Sequence, residues 1–245
     1  MAHRGITVTN ADELAGLLRE GISFVDCTFD GGSFVGLSSD VLELTDCSLQ
    51  DADFSQLVCG ELRILRCDLQ RAEFYRADIK ESHFSDSNCG SARFRNAKMN
   101  LSRLIDCDFS LSSFDGASLF GGDLTGSRFR AVSFGTTNMD GATVDRVSFV
   151  MASVAHKSFR KQRLTGVDFS EADLSGCDFT DAVFEDCRIE NAVVSPETSF
   201  AGGDLRGARL SNLRLDVARA AGAVISQSQA GGFLQDAYGV LVGEG

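Results

Sequence analysis

Tryptophan is absent, tyrosine occurs twice and proline once, while phenylalanine occurs 19 times in 245 residues. Flat aromatics without polar handles suit a narrow, dry interior better than a binding groove. His3, His83 and His156 are too few and too scattered for a metal site or a catalytic triad. Eight cysteines are present without a CxxC pair or a Cys/His cluster, which argues against both a disulfide framework and a zinc site. No apolar run approaches the roughly 18–20 residues of a membrane span. The opening MAHRGITVTN lacks the hydrophobic stretch of a secretory signal. No glycine-rich phosphate loop is present either: the GxGxxG-like stretch at 121–126 lacks a strand-to-helix context. The expectation is a cytoplasmic, non-enzymatic protein without cofactor or metal.

What is present is a period of five. Steps of five from Phe24 meet Phe29, Phe34, Ser39, Leu44, Leu49 and Phe54, and continue through Phe94, Phe129 and Phe169 to Val194. Ser39 is the one non-apolar member. Two residues before each lies a second, mostly small series: Cys27, Gly32, Cys47, Ala52, Cys67, Ala72, Ala77, Ser82. Sixteen of the 19 Phe fall on the first series, and all eight Cys on one or the other. Neither a helix nor a single strand has this period, so an internal repeat is required. Inward residues two apart share one face of a strand, and a corner must follow before the next pair.

Columns at spacing 20 give the number of corners. Phe34, Phe54, Phe74, Phe94, Phe114 and Phe134 form one; Cys27, Cys47, Cys67, Ser87 and Cys107 form another. Like residues every 20 imply four sides per coil. Coils stacked at strand spacing of about 4.8 Å would make residues 22–222 about ten coils and a rod on the order of 50 Å. The Phe column should stack internally, and the eight Cys should be reduced, buried and unreactive.

The phrases AEFYR (72–76), ADIKE (77–81), GDLTG (122–126), ADLSG (172–176) and CDFTD (177–181) resemble the motif of the pentapeptide-repeat family over about 200 residues. The resemblance implies an all-β, right-handed quadrilateral parallel β-helix, in agreement with the four-sided coil read above. The motif identifies a fold far better than a function.

A solenoid needs capped ends. Residues 1–21 read as an N-terminal cap: a strand at 6–9, then a helix over 11–20 capped by Asn10 with Glu13, with an apolar stripe of Leu14, Leu17 and Leu18, and ended by Gly21. The solenoid follows over 22–222. In 223–245, Ser226 with Gln229 opens a helix to about Tyr238, stopped by Gly239 and followed by a strand Val240–Val242. Its stripe includes Ala230, Phe233, Leu234, Ala237 and Tyr238. This helix either covers its own last coil or pairs two chains through Phe233, Leu234, Ala237 and Tyr238. Family members that act on DNA gyrase pair their rods through such a helix. Two irregularities remain. A six-residue step between Val194 and Phe200 holds Pro196 and reads as a one-residue bulge. Lys157 and Gln162 stand at small inward positions, where a backbone bulge is expected to turn them outward.

Net charge is −12. A 50 Å duplex carries roughly 30 charges, so charge density alone does not make a DNA mimic. Distribution says more. Residues 26–53 hold seven acids and no Lys or Arg; 168–190 hold eight acids and one Arg; 93–163 hold eleven bases against six acids. The acids Asp40, Glu43, Asp46, Asp51 and Asp53, with no basic neighbour nearby in sequence, are candidate partner contacts. So are the bases Lys157, Arg160, Lys161 and Arg163. The resemblance implies a protein partner and no direct contact with nucleic acid or membrane. One reading is a resistance or immunity factor whose acidic rod blocks a basic cleft of gyrase, topoisomerase IV or a nuclease toxin, with a homodimer formed through the C-terminal helix. The helical N-terminal cap and the lack of long projecting loops depart from the quinolone-protection members. The other reading is a passive scaffold or adaptor.

Overall fold

In the computed structural model, which describes residues 2–8, 13, 14, 16, 17 and 23–241, each five-residue phrase ends in a corner. The carbonyl of the central apolar residue accepts from the N–H three residues on, as in Gly32 to Phe29 at 2.8 Å and Ala52 to Leu49 at 3.1 Å. Two residues after the centre the backbone turns left-handed, with φ of 57° at Asp51, 61° at Arg71 and 57° at Asn96. Four corners return the chain to its start, so residue i bridges residue i+20 in parallel: Thr28 to Ser48, Ser48 to Asp68, Asp68 to Asn88, Asn88 to Asp108. The sides are numbered by their central residues, the first on Phe24, the second on Phe29, the third on Phe34 and the fourth on Ser39. The chain makes about ten turns.

It divides into two compact units, Met1–Val132 with Thr136–Thr143, and Ser133–Gly135 with Val144–Gly245. In the first, six strands run in sequence order: β1 (Ala2–Arg4), β2 (Ser23–Val25), β3 (Ser38–Thr45), β4 (Val58–Leu65), β5 (His83–Ser85) and β6 (Arg103–Ile105). The strands β3 and β4 run through the corner between the fourth and first sides without a left-handed residue at Val41 or Glu61. Ser39, the polar member of the apolar series, lies in β3 and donates to Val41 O at 2.7 Å. In the second unit β7 (Arg163–Thr165) pairs with β8 (Val183–Glu185), and β9 (Cys187–Arg188) with β10 (Ala208–Arg209).

The phenylalanine column stacks as expected within the first unit. Ring centroids from Phe34 through Phe54, Phe74 and Phe94 to Phe114 are 4.3, 4.7, 4.7 and 4.8 Å apart, with interplanar angles of 17° or less. Those separations are the coil rise itself, so the ladder adds ring contact without disturbing the backbone. Phe84 and Phe109 fill the remaining width edge-on. Phe134 is buried in the second unit, edge-on to Phe149. The Cys/Ser column has a second role besides filling space. Between the first and second sides, N–H groups bond the next coil's side chain, Cys47 to Cys67 Sγ at 3.4 Å, Cys67 to Ser87 Oγ at 3.0 Å and Cys107 to Ser127 Oγ at 2.9 Å. The side chains reach back in turn, Cys67 to Leu44 O and Ser127 to Leu104 O. A small residue with a polar tip satisfies an amide there that a purely apolar one would orphan.

Some expectations are corrected. The first strand is β1, not 6–9, where only Thr7 bridges Thr28; Thr9 lies outside the described residues. Of the N-terminal helix, Glu13, Leu14, Gly16 and Leu17 are helical and Leu14 is fully buried; Asn10, Leu18 and Gly21 lie outside the described residues. The chain does not bulge at Lys157 and Gln162. Their carbonyls accept from Asp178 and Val183 in the ordinary register, and the half-buried Lys157 instead sends Nζ to Gly135 O at 3.2 Å. A flexible stem lets the ammonium leave the core while the backbone stays regular. At Pro196 the bulge is present: bridges run 20 residues before it (Asp168 to Arg188) and 21 across it (Asp178 to Ser199). The C-terminal helix α1 spans Gln227–Tyr238, with the full Ser226–Gln229 capping box and left-handed Gly239. No strand follows at Val240 or Leu241: the Val240 N–H is taken by Leu234 O at the helix end, and Val242 lies outside the described residues.

Candidate functional site

Every outward side chain has its nearest neighbours one coil away, 20 residues distant in sequence. This decides the fate of the charged candidates. Glu43 pairs with Arg63 at 2.7 Å, Asp46 with Arg66 at 2.7 Å and Asp51 with Arg71 at 2.7 Å. Hydrogen bonds from Arg66 and Arg71 hold the carboxyls of Asp46 and Asp51 below the ordinary aspartate range. The expectation that these acids lack basic neighbours is therefore corrected: three of the five are neutralised by arginines of the next coil. Asp40 is exposed, and Asp53 is half-buried and accepts from Ser55 N–H at 2.8 Å.

The basic quartet is partly spent as well. Arg160 lies 3.9 Å from Asp178 and 3.6 Å from Asp181, and Arg163 pairs with Glu185. Lys157 is held by Gly135 O, while Lys161 is exposed at a left-handed corner. The acidic stretch 168–190 and the bases before it thus form interleaved pairs, not two patches.

The acid that survives pairing in the first unit lies elsewhere. Asp86 and Asp106 occupy the corner between the first and second sides, and Asp68 and Asp108 stand on the second side beside them, around a shallow depression bordered by Asn88 and Arg128. Among the described residues neither Asp86 nor Asp106 has an ion-pair partner. Asp108 is opposed by Arg128 at 3.2 Å; Asp68 accepts from the Gln50 amide at 2.8 Å and Gln70 N–H at 3.1 Å. Counting charge along the chain hid this cluster, because 93–163 is basic in sum. Charge read down the columns at spacing 20, as for the phenylalanines, would have found it.

The remaining chemistry is inert. Among the described residues no group of His, Cys, Asp and Glu is placed to hold a metal ion, and no helix is long and apolar enough to cross a membrane. His83 stands outward on β5 between Arg63 and Arg103; partial burial and those two arginines lower its pKa. All eight thiols are free and buried. Burial pushes Cys107 and Cys177 up to about 12. Cys47 and Cys67 titrate as a pair whose mutual hydrogen bond lowers the first and raises the second.

At the C-terminal end, α1 is anchored by Gln229, whose amide donates to Leu205 O at 2.8 Å and Ala208 O at 2.6 Å. Its expected stripe is divided. Phe233 and Ala237 are half-buried, Phe233 closing a cavity of about 310 Å³ over Ala208, Leu213 and Leu215. Leu234, Tyr238, Val240 and Leu241 are exposed on the other side.

Family models for pentapeptide repeats match residues 47–86, 87–130 and 159–204, together more than half of the chain. No curated protein matches in sequence. Among solved structures the chain is similar to a trypsin-treated variant of QnrB1, a plasmid-mediated fluoroquinolone resistance protein, with 16% identity, 100% of this chain and 99% of that chain covered, and a TM-score of 0.51. A second trypsin-treated QnrB1 variant gives 19%, 99% and 97%, with a TM-score of 0.50. At these identities the likeness is one of fold.

Proposed function

Because the chain belongs to the pentapeptide-repeat family, we propose that it is a non-catalytic binding protein that shields or antagonises a DNA-acting enzyme, a type II topoisomerase or a nuclease toxin, as a resistance or immunity factor. The observation that carries this reading is the unpaired acidic corner, Asp86 and Asp106 with Asp68 and Asp108, on a scaffold whose hydrogen-bond ladder fixes its spacing. Carboxylates held in place lose little entropy when a basic cleft closes on them, and they steer its approach. The likeness to QnrB1 supports the class of partner. Charge spacing of about 1.7 Å in duplex DNA is far denser than this cluster, so the protein would act by occupying the cleft and not by copying the duplex.

The exposed Leu234 and Tyr238, continued by Val240 and Leu241, are proposed to pair two copies, while Phe233 and Ala237 support them from behind. Replacing Phe233 and Leu234 by Asp should convert a dimer to a monomer in sedimentation. A monomeric parent protein would remove the dimer.

The function is tested by affinity capture from the native host, followed by supercoiling and nuclease assays with the captured enzyme. Protection should be lost when Asp68, Asp86, Asp106 and Asp108 are all replaced by Asn, and should weaken steeply between low and moderate salt. Full protection by that variant, or capture of a partner with no DNA chemistry, would reject the reading in favour of a scaffold.

A further inference from the structure

The fourth side of the first unit carries a different chemistry from the acidic corner. Arg76 stands over the ring of Tyr75, its guanidinium carbon 5.0 Å from the centroid, and its N–H bonds Arg95 O on the adjacent coil at 3.0 Å. Among the described residues neither arginine has a carboxylate partner. Beside them Lys80 and Lys98 share the single carboxylate of Asp78, at 3.3 and 3.0 Å. This strip is cationic in a chain of net charge −12.

At the far edge of the same side stands an apolar pair. The Leu101 N–H donates to Phe120 O at 2.8 Å, and the two side chains are 54% and 49% exposed. Leu101 has φ of 59°, a conformation that disfavours a branched apolar residue by about 1 kcal/mol or more. Gly121 makes room for it: a Cβ there would come within 2.8 Å of Leu101 Cδ2. The fold gains nothing from an exposed Leu in a strained corner beside an exposed Phe. Arginine, tyrosine and phenylalanine are the residues enriched where proteins bind one another.

We infer that this side, from Arg76 to Phe120, is a docking surface for a short segment of another protein that carries acidic residues followed by an apolar anchor. The acids would lie on Arg76 and Arg95, already oriented by Tyr75, and the anchor on Leu101 and Phe120. The strip spans only two coils, about 10 Å, and Glu81 and Asp140 flank the apolar pair. A long polyanion such as nucleic acid, with its closely spaced phosphates, would run off the strip onto those carboxylates, whereas a short peptide would not. This inference does not depend on the partner being a DNA-acting enzyme.

The test uses the full chain and a fluorescein-labelled peptide of four glutamates followed by Leu-Phe, read by fluorescence anisotropy at low salt. Binding should weaken about tenfold or more in Arg76→Glu/Arg95→Glu and in Phe120→Ser. It should be unchanged in Leu111→Ser, which removes an equally exposed leucine from the corner between the second and third sides. Circular dichroism should be unaltered, since all four positions are exposed. Absence of peptide binding, equal loss in Leu111→Ser, equal affinity for hexaglutamate, or tighter binding of a twelve-nucleotide oligo-dT would each overturn the inference.

Discussion

The coils from Phe34 to Phe114 and the stretch from Ser195 to Leu241 are written in nearly the same five-residue phrase, yet they solve opposite problems. Each central coil has a neighbour on both sides, so its rings stack, its amides find partners 20 residues away, and its charges pair across coils. The final stretch has a coil on one side only. Its ladder thins after Ser211, a cavity opens above Leu213 and Leu215, and α1 is laid over it. Its arginines turn inward to their own phrase: Arg206 bonds Asp204 and Arg214 bonds Asp216, each two residues away. In the first unit the corresponding partners are 20 apart. Repetition stabilises only where the repeat has company on both faces.

The largest effect should come from breaking the ladder. Phe94→Ala, in the middle of the stack and fully buried, should destabilise by about 3–5 kcal/mol in denaturant melts. Leu215→Ala should cost less than about 2 kcal/mol, because that side chain already borders an open cavity into which its surroundings and water can relax. Equal losses at the two sites would show that the end coil is packed like the centre.

Acid should come next. The folded-state pKa values of Asp46, Asp51 and Asp204 lie below the ordinary 3.8, Asp204 at about 2, because of hydrogen bonds from Arg66, Arg71 and Arg206. A depressed carboxyl contributes stability that is complete above the unfolded value and lost as pH falls through the folded one. Stability followed by circular dichroism should therefore be flat near neutrality and decline from about pH 4 downward. Arg66→Gln with Arg71→Gln should flatten the part of that decline due to the first unit, and Arg206→Gln the part due to the end. A decline beginning above pH 5 would point to other groups.

Charge reversal at Arg66 and Arg71 should shift the melting temperature less than either core change, since exposed pairs contribute little. The smallest signal should be in the thiols. Labelling of the native protein should be slow at all eight, with Cys47 reacting before Cys107 and Cys177, whose thiols burial holds protonated. Labelling of Cys177 first would mean that the second unit opens more readily than the first.

The apolar period of five, its columns at 20 and the capping box at Ser226 were legible from residues alone. Each depends on contacts that recur at a constant sequence step, so the step itself encodes them. The extra residue at Pro196 was legible for the same reason, as a break in that step. The charge surface was not, although it obeys the same spacing. Glu43, Asp46 and Asp51 look unopposed along the chain because Arg63, Arg66 and Arg71 are one full coil away. Lys157 looked like a reason for the backbone to bulge, and only the position of Gly135 O showed that its side chain could escape alone. Which acids remain unpaired, which half of the α1 stripe is covered, and where Leu101 meets Phe120 are decided by stacking. Stacking brings together groups whose separation in sequence carries no local energetic trace.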